Sequence, residues 1–255
     1  MQRVLSFNSY LLETADGLAS GVKEIEDTEL INSFCGAIRR MQPEESPRGS
    51  NRGEDVESML TAVNTLPGEP WCAAYIYSIL SATGFSPKIK NKIPNTARVL
   101  THWETTGGEK ILGDSVEPIL PGMIFCYLNN PPSKAGHTGI VLLVNGKVSW
   151  RGIEGNTNPV DGDREGYGTF LITRQVSNPS IAKDPNTPKA KLLGFIDYFK
   201  PYRDRDPGFT DKLTSELKKV LGEIEPKTKG EIAFLKSNKE WKEEYENNWN
   251  NRNKT

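Results

Sequence analysis

Of the side chains able to act as nucleophiles, Cys72 has the most suggestive setting. It follows Gly68-Glu69-Pro70-Trp71 and opens the apolar run Ala73-Ala74-Tyr75-Ile76-Tyr77-Ser78-Ile79-Leu80. Gly68 and Pro70 keep the chain out of a helix ahead of the cysteine, so the spacing predicts a helix starting near Trp71, with Gly84 as its C-cap. Apolar residues on most faces predict that this helix is buried. A cysteine in its first turn meets unpaired backbone N–H groups and the positive end of the helix dipole. That setting favours a thiolate, the nucleophilic form of the side chain. The bland alternative is that Cys72 simply packs as a small apolar residue, as free cysteines usually do. Cys35 and Cys126 lie in apolar runs and are read that way.

A thiolate nucleophile needs a base, and the chain has two histidines, His102 and His137. His102 has no polar partner nearby in the sequence and is read as structural or exposed. His137 begins the run His137-Thr138-Gly139-Ile140-Val141-Leu142-Leu143-Val144, which Asn145-Gly146 separates from Lys147-Val148-Ser149-Trp150-Arg151-Gly152-Ile153-Glu154. Asn-Gly between two apolar runs signals a two-residue hairpin turn. That turn predicts Val144 opposite Lys147 and therefore His137 directly opposite Glu154. A carboxylate there can accept the imidazole N–H and fix its tautomer. The same register predicts Gly139 facing Gly152, a shallow for the cysteine helix to approach. Asn156, two residues on, is expected on the same side, within reach of the ring or the substrate. The alternative for His137 and Glu154 is an exposed ion pair of little energetic weight.

The elements that must position these groups are legible in outline. Residues 1 to about 41 read as helical, with a short amphipathic segment around Val4 to Leu12 and a second helix capped by Thr28. Residues 42–50 read as loop, and Gly53 to Val63 as another helix. Residues 85–121 are expected to be mostly loop, with a short helix from Thr96 to Trp103. Strands are predicted at Met123–Leu128, in the hairpin, at Thr169–Thr173 and at Leu192–Phe199, the last ended by Pro201. Leu213, Leu217, Val220, Leu221 and Ile224 mark a helix stopped by Pro226. Trp241, Tyr245 and Trp249 recur every four residues in a further one, a stripe that could stack on sugars or bind a partner helix but more often docks on its own domain. The acidic positions Asp161, Asp163 and Glu165 do not complete a calcium loop and are read as a solvated turn.

The bulk properties exclude several classes. The chain has 255 residues, and a net charge of −1 gives no basic excess for nucleic acid. The odd cysteine count does not form a disulfide framework. No apolar run approaches the ~20 residues that span a bilayer. The first 20 residues lack a secretory h-region, so synthesis in the cytoplasm without Sec export is expected.

Taken in order, several blocks resemble the CHAP family of cysteine, histidine-dependent amidohydrolases/peptidases, a branch of the papain-like superfamily close to the NlpC type. They are Asn51-Arg52-Gly53, Pro70-Trp71-Cys72-Ala73-Ala74, Pro121-Gly122-Met123, Gly136-His137-Thr138-Gly139-Ile140-Val141, Ile153-Glu154-Gly155-Asn156-Thr157-Asn158, Arg164-Glu165-Gly166 and Gly194-Phe195-Ile196-Asp197. The resemblance implies an α+β, papain-like fold, with the nucleophile helix packed on a small antiparallel sheet. It implies Cys72 as nucleophile, His137 as base, Glu154 as third residue and Asn156 as a further participant, with no metal or cofactor. Trp71 and Tyr75 are candidates to line the cleft, with packing in the core as the equal alternative for both. The expected organisation is a helical extension over 1–50, a catalytic domain over 51–204 and a helical C-terminal extension over 205–255. The implied activity is hydrolysis of peptidoglycan amide bonds through an acyl-enzyme, as endopeptidase or N-acetylmuramoyl-L-alanine amidase. Without a leader, wall access would follow phage-type release or specialised secretion, with a delivery or immunity partner. The alternatives are a catalytically silent module of the same fold and a cysteine hydrolase of non-wall peptides or small amides.

Overall fold

A computed structural model describes residues 25–129, 134–159, 166–177 and 190–237. The expected segment at Val4–Leu12, the acidic positions 161–165 and the stripe Trp241, Tyr245, Trp249 lie outside these residues. The described chain is a mixed α+β fold. Seven helices among the described residues accompany one antiparallel six-stranded sheet. The helices are α1 (Asp27–Arg40), α2 (Glu54–Ala62), α3 (Cys72–Ala82), α4 (Pro87–Lys90), α5 (Val99–Thr105), α6 (Lys200–Arg205) and α7 (Phe209–Ser237). The strands are β1 (Glu109–Leu112), β2 (Ile124–Leu128), β3 (Gly136–Asn145), β4 (Ser149–Thr157), β5 (Gly168–Gln175) and β6 (Lys191–Asp197), in the spatial order β1-β6-β2-β3-β4-β5.

Both sheet faces are covered, by the alternation that a pleated strand imposes. Ile124 and Cys126 of β2 and Ile140 and Leu142 of β3 join the helices in one large core. The intervening Phe125, Tyr127 and Val141 belong to a second core with Trp150, Phe195, Ile119 and Met123. Helix α3, which Cys72 opens, is central to the first core. Ala73, Ala74, Tyr75, Ile76, Ile79 and Leu80 are all fully buried. Its apolar circumference is satisfied by α1 and α2 on one side and by β3 and β4 on the other.

Several local expectations are corrected. α3 ends at Ala82, where the Thr83 hydroxyl bonds the Ile79 carbonyl, so Gly84 lies beyond the cap. α1 begins at Asp27 after Glu26, and Thr28 does not cap it. The stretch 85–121 contains an edge strand, β1, paired with β6. Four residues carry too little periodicity to reveal it. β6 stops at Asp197, and Pro201 sits in the first turn of α6, where its missing N–H costs nothing.

Pro226 does not stop α7, which runs from Phe209 to Ser237. A helix-interior proline costs about 3 kcal/mol. Contacts on both sides of it outweigh that. Val220 and Ile224 are buried before it, and Thr228 after it accepts a hydrogen bond from the Leu171 backbone at 3.3 Å. Neither α1 nor the first half of α7 is peripheral. Leu30, Phe34 and Ile38 of α1 share the main core with Phe209, Leu213 and Leu217 of α7.

The hairpin differs from the expected register in a way that decides the site. Asn145 faces Ser149 across a three-residue loop, with Gly146 at a φ of +67°. Near Leu142 a bulge then shifts the pairing by one, giving Val141 opposite Gly152 and Ile140 opposite Ile153. The longer turn alone would put Glu154 on the opposite sheet face from His137, because a one-residue slip exchanges faces. The bulge reverses that exchange. Continued one pair further, the register sets Glu154 beside Gly139, two residues from His137 and on its face.

Candidate active site

Cys72 sits where the chain turns into α3, held by a network from the two loops on either side of α2. The Trp71 indole N–H donates to Glu45 Oε1 at 2.9 Å, and the Asn51 backbone N–H donates to Glu45 Oε2 at 3.0 Å. Asn51 Nδ2 donates to the Gly68 carbonyl at 3.0 Å. Glu45, Asn51 and Trp71 are buried. Composition alone placed Glu45 in a polar loop, and nothing in its neighbourhood signalled burial. No side chain caps α3, which leaves its first-turn N–H groups without a side-chain acceptor at the end where Cys72 is the first residue.

Asn156 completes this support rather than reaching the imidazole. It has a φ of +56°, and the β4–β5 pairing is irregular there, so strand alternation no longer sets its direction. With its amide oriented to satisfy every partner, the oxygen accepts from the Trp71 N–H at 3.2 Å. The nitrogen donates to the Gly166 carbonyl at 2.7 Å and to Asn51 Oδ1 at 3.3 Å. Asn156 therefore supports the start of α3.

The expected shallow between Gly139 and Gly152 does not receive that helix. A Cβ at Gly139 would lie 2.7 Å from Glu154 Cγ and 2.7 Å from the Phe125 ring. The space holds the Glu154 side chain, which crosses Gly139 diagonally to reach His137. Helix α3 instead approaches at Gly155, where a Cβ would lie 2.6 Å from the Trp71 ring and 2.8 Å from Tyr75 Cγ.

His137 and Glu154 meet as expected, by this diagonal route. His137 Nε2 lies 2.8 Å from Glu154 Oε2, and both side chains are fully buried. The ion pair is thus not an exposed one at a sheet edge. With Nε2 taken by Glu154, Nδ1 is the ring nitrogen open to the thiol. It closes no hydrogen bond, although Cys72 is near enough to favour the protonated ring. A loose contact of this kind is common in unliganded sites and tightens on the substrate. Burial alone would push the His137 pKa down. The Cys72 interaction, followed by that of Glu154, more than reverses this and raises it.

A fourth group stands at this site, one that sequence reasoning missed. Arg174, on β5 and 1% exposed, donates from Nε to Glu154 Oε1 at 2.8 Å and from Nη2 to Glu154 Oε2. Its guanidinium carbon lies 5.3 Å from the centroid of the Tyr127 ring, which in turn lies 5.7 Å from that of His137. Burial would raise the Glu154 pKa. The charge and hydrogen bonds of Arg174, with a smaller contribution from His137, hold it below the usual carboxylate range. An arginine near the end of an apolar strand ordinarily reads as solvent-facing, so its position carried no signal.

Trp71 and Tyr75 are fully buried and packed edge to face, with centroids 6.3 Å apart, so they support the helix from behind. The groove at Cys72 has a volume of about 630 Å³ and is walled by other residues. Glu69 and Glu104 bring negative charge to it and Arg98 and Lys134 positive charge, and the apolar Leu66 is 76% exposed. His102 is buried on α5, with Nε2 3.0 Å from the Tyr198 hydroxyl, away from the sulfur chemistry. Cys35 and Cys126 are core thiols whose pKa burial pushes up to about 12. Among the described residues no cluster of three or more His, Cys, Asp or Glu is placed to hold a metal. Nor is any helix there long and apolar enough to cross a membrane. No protein-family model, curated protein or solved structure matches this chain.

Proposed function

We propose that the chain is a cysteine amidohydrolase of papain-like, CHAP type, and that its substrate is an amide bond of bacterial peptidoglycan. One observation carries the reading: the imidazole of His137 is held through Nε2 by a buried carboxylate, and the cysteine at the start of a buried helix is near enough to favour its protonated form. His137 Nδ1 takes the Cys72 proton, and the thiolate attacks the substrate carbonyl. The Cys72 backbone N–H stabilises the oxyanion, a contribution of about 3 kcal/mol. The imidazolium then protonates the leaving amine as the C–N bond breaks. Water gives a proton to the neutral ring, attacks the thioester and releases the acid, restoring the thiolate–imidazolium pair. Glu154 accepts from Nε2 throughout and orients the ring. The groove carries both signs of charge beside an exposed leucine, a surface suited to a peptide bearing amines and carboxylates.

The wall assignment rests on the ordered sequence blocks, and the test separates it from the chemistry. Purified peptidoglycan is incubated with the protein and the fragments are analysed by mass, which also identifies the bond cut. Cys72→Ala is expected to keep its circular dichroism and melting temperature while hydrolysis falls by at least ~10³-fold. Full activity in that variant would remove Cys72 as nucleophile. A wild-type protein with a reactive Cys72 but no wall fragments would point to another amide substrate. An unreactive Cys72 would point to a silent module of the same fold.

A further inference from the structure

We propose that Arg174 is a positioning residue of the Cys72–His137 pair: by gripping both oxygens of Glu154 it keeps that carboxylate ionised in a dry site, and so fixes the His137 tautomer that offers Nδ1 to the thiol. The inference rests on the cysteine–histidine reading above.

The His137, Glu154 and Arg174 side chains are all fully buried. A lone carboxylate in such a place takes up a proton rather than remain charged. A protonated Glu154 would turn an O–H toward Nε2. The ring would then carry its proton on Nδ1, facing the sulfur, where it cannot accept one. Arg174 prevents this with a charge that is never lost and a fork that matches both oxygens. Oε2 is shared, taking Nε2 of His137 and Nη2 of Arg174 at once. The placement is specific to a long side chain. Arg174 pairs with Trp150, four residues along β4 from Glu154, which pairs with Phe170. Among the described residues, the ionisable groups that face the cluster include Cys72 from α3, acting on His137, and Tyr127 from β2 beneath the guanidinium.

The test reads Cys72 itself, by its alkylation rate with iodoacetamide across pH 5 to 9, and needs no wall substrate. Arg174→Met is expected to slow alkylation at pH 7 at least ~10-fold and to move the acid limb of the profile to higher pH, because Glu154 then titrates in that range. Glu154→Gln/Arg174→Met is expected to react no more slowly than Glu154→Gln alone, since Arg174 acts through that carboxylate. A folded Arg174→Met with an unshifted profile would overturn the proposal, as would losses that multiply in the double variant. Should Arg174→Met fail to melt cooperatively, Arg174→Lys keeps a charge but not the fork, and it must still shift the acid limb. If wild-type Cys72 reacts no faster than a free thiol, the cysteine–histidine reading fails and this one with it. A reactive wild type with an unaffected Arg174→Met sinks this inference alone.

Discussion

At His137 the two ring nitrogens have different duties, and the difference is electrostatic. Nε2 is committed to Glu154, which leaves Nδ1 for the sulfur. The other two thiols are buried without such a partner, and their pKa stands near 12. Iodoacetamide at neutral pH is therefore expected to label Cys72 in the native protein, with Cys35 and Cys126 reacting only after unfolding. Mass mapping of labelled peptides checks this, and early labelling of Cys126 would contradict it. His102 behaves in the opposite sense to His137. Burial lowers its pKa to about 4, from 6.5. Its neutral ring thus contributes stability that is complete above pH 6.5 and is lost as pH falls toward 4. The loss is on the order of 3 kcal/mol. His137, with its pKa raised, contributes in the reverse direction, most at low pH. Urea unfolding of wild type and His102→Asn isolates the His102 contribution: the stability difference between them is expected to shrink by about that amount between pH 7 and pH 4. A constant difference would show that His102 does not titrate in this way.

At the scale of elements, the site depends on a strand bulge and a missing side chain. The bulge near Leu142 returns Glu154 to the face of His137 after a turn one residue longer than Asn-Gly predicts. Gly139 leaves the room in which the Glu154 side chain lies, and Gly155 lets Trp71 and Tyr75 bring α3 onto β4. Gly155→Ala is expected to push that helix outward, lowering stability by about 1–3 kcal/mol and activity with it. A thermal melt and a hydrolysis assay on the same sample check both. A variant with unchanged melting and rate would mean that α3 does not need this close approach.

At the scale of the whole molecule, α7 is structural. Phe209, Leu213, Leu217 and Val220 are fully buried and Ile224 nearly so. Each such side chain contributes about 1.5–3 kcal/mol, which together rivals the 5–15 kcal/mol that holds a typical domain together. Arg39–Glu223 and Arg151–Glu225 ion pairs fasten the same helix to α1 and β4. A chain ended after Asp206 is expected to lose its cooperative unfolding transition. A sharp melt with wild-type activity would instead make α7 the separable extension that its sequence suggested.

The sequence by itself determined the buried helix that Cys72 opens, the strand that carries His137 near its start, the hairpin partner bearing Glu154 and the burial of Cys35 and Cys126. Each follows from periodicity, from punctuation by Gly and Pro, or from apolar context, all of which are local. Tertiary structure alone decided the diagonal path of Glu154 across Gly139, the turning of Asn156 toward Trp71, the burial of Glu45 and the grip of Arg174. These depend on a one-residue bulge and on which long polar side chains find partners in a closed interior. A bulge leaves almost no trace in composition. A buried arginine or glutamate has the same neighbours in sequence as an exposed one, and only the folded surroundings that neutralise it tell the two apart.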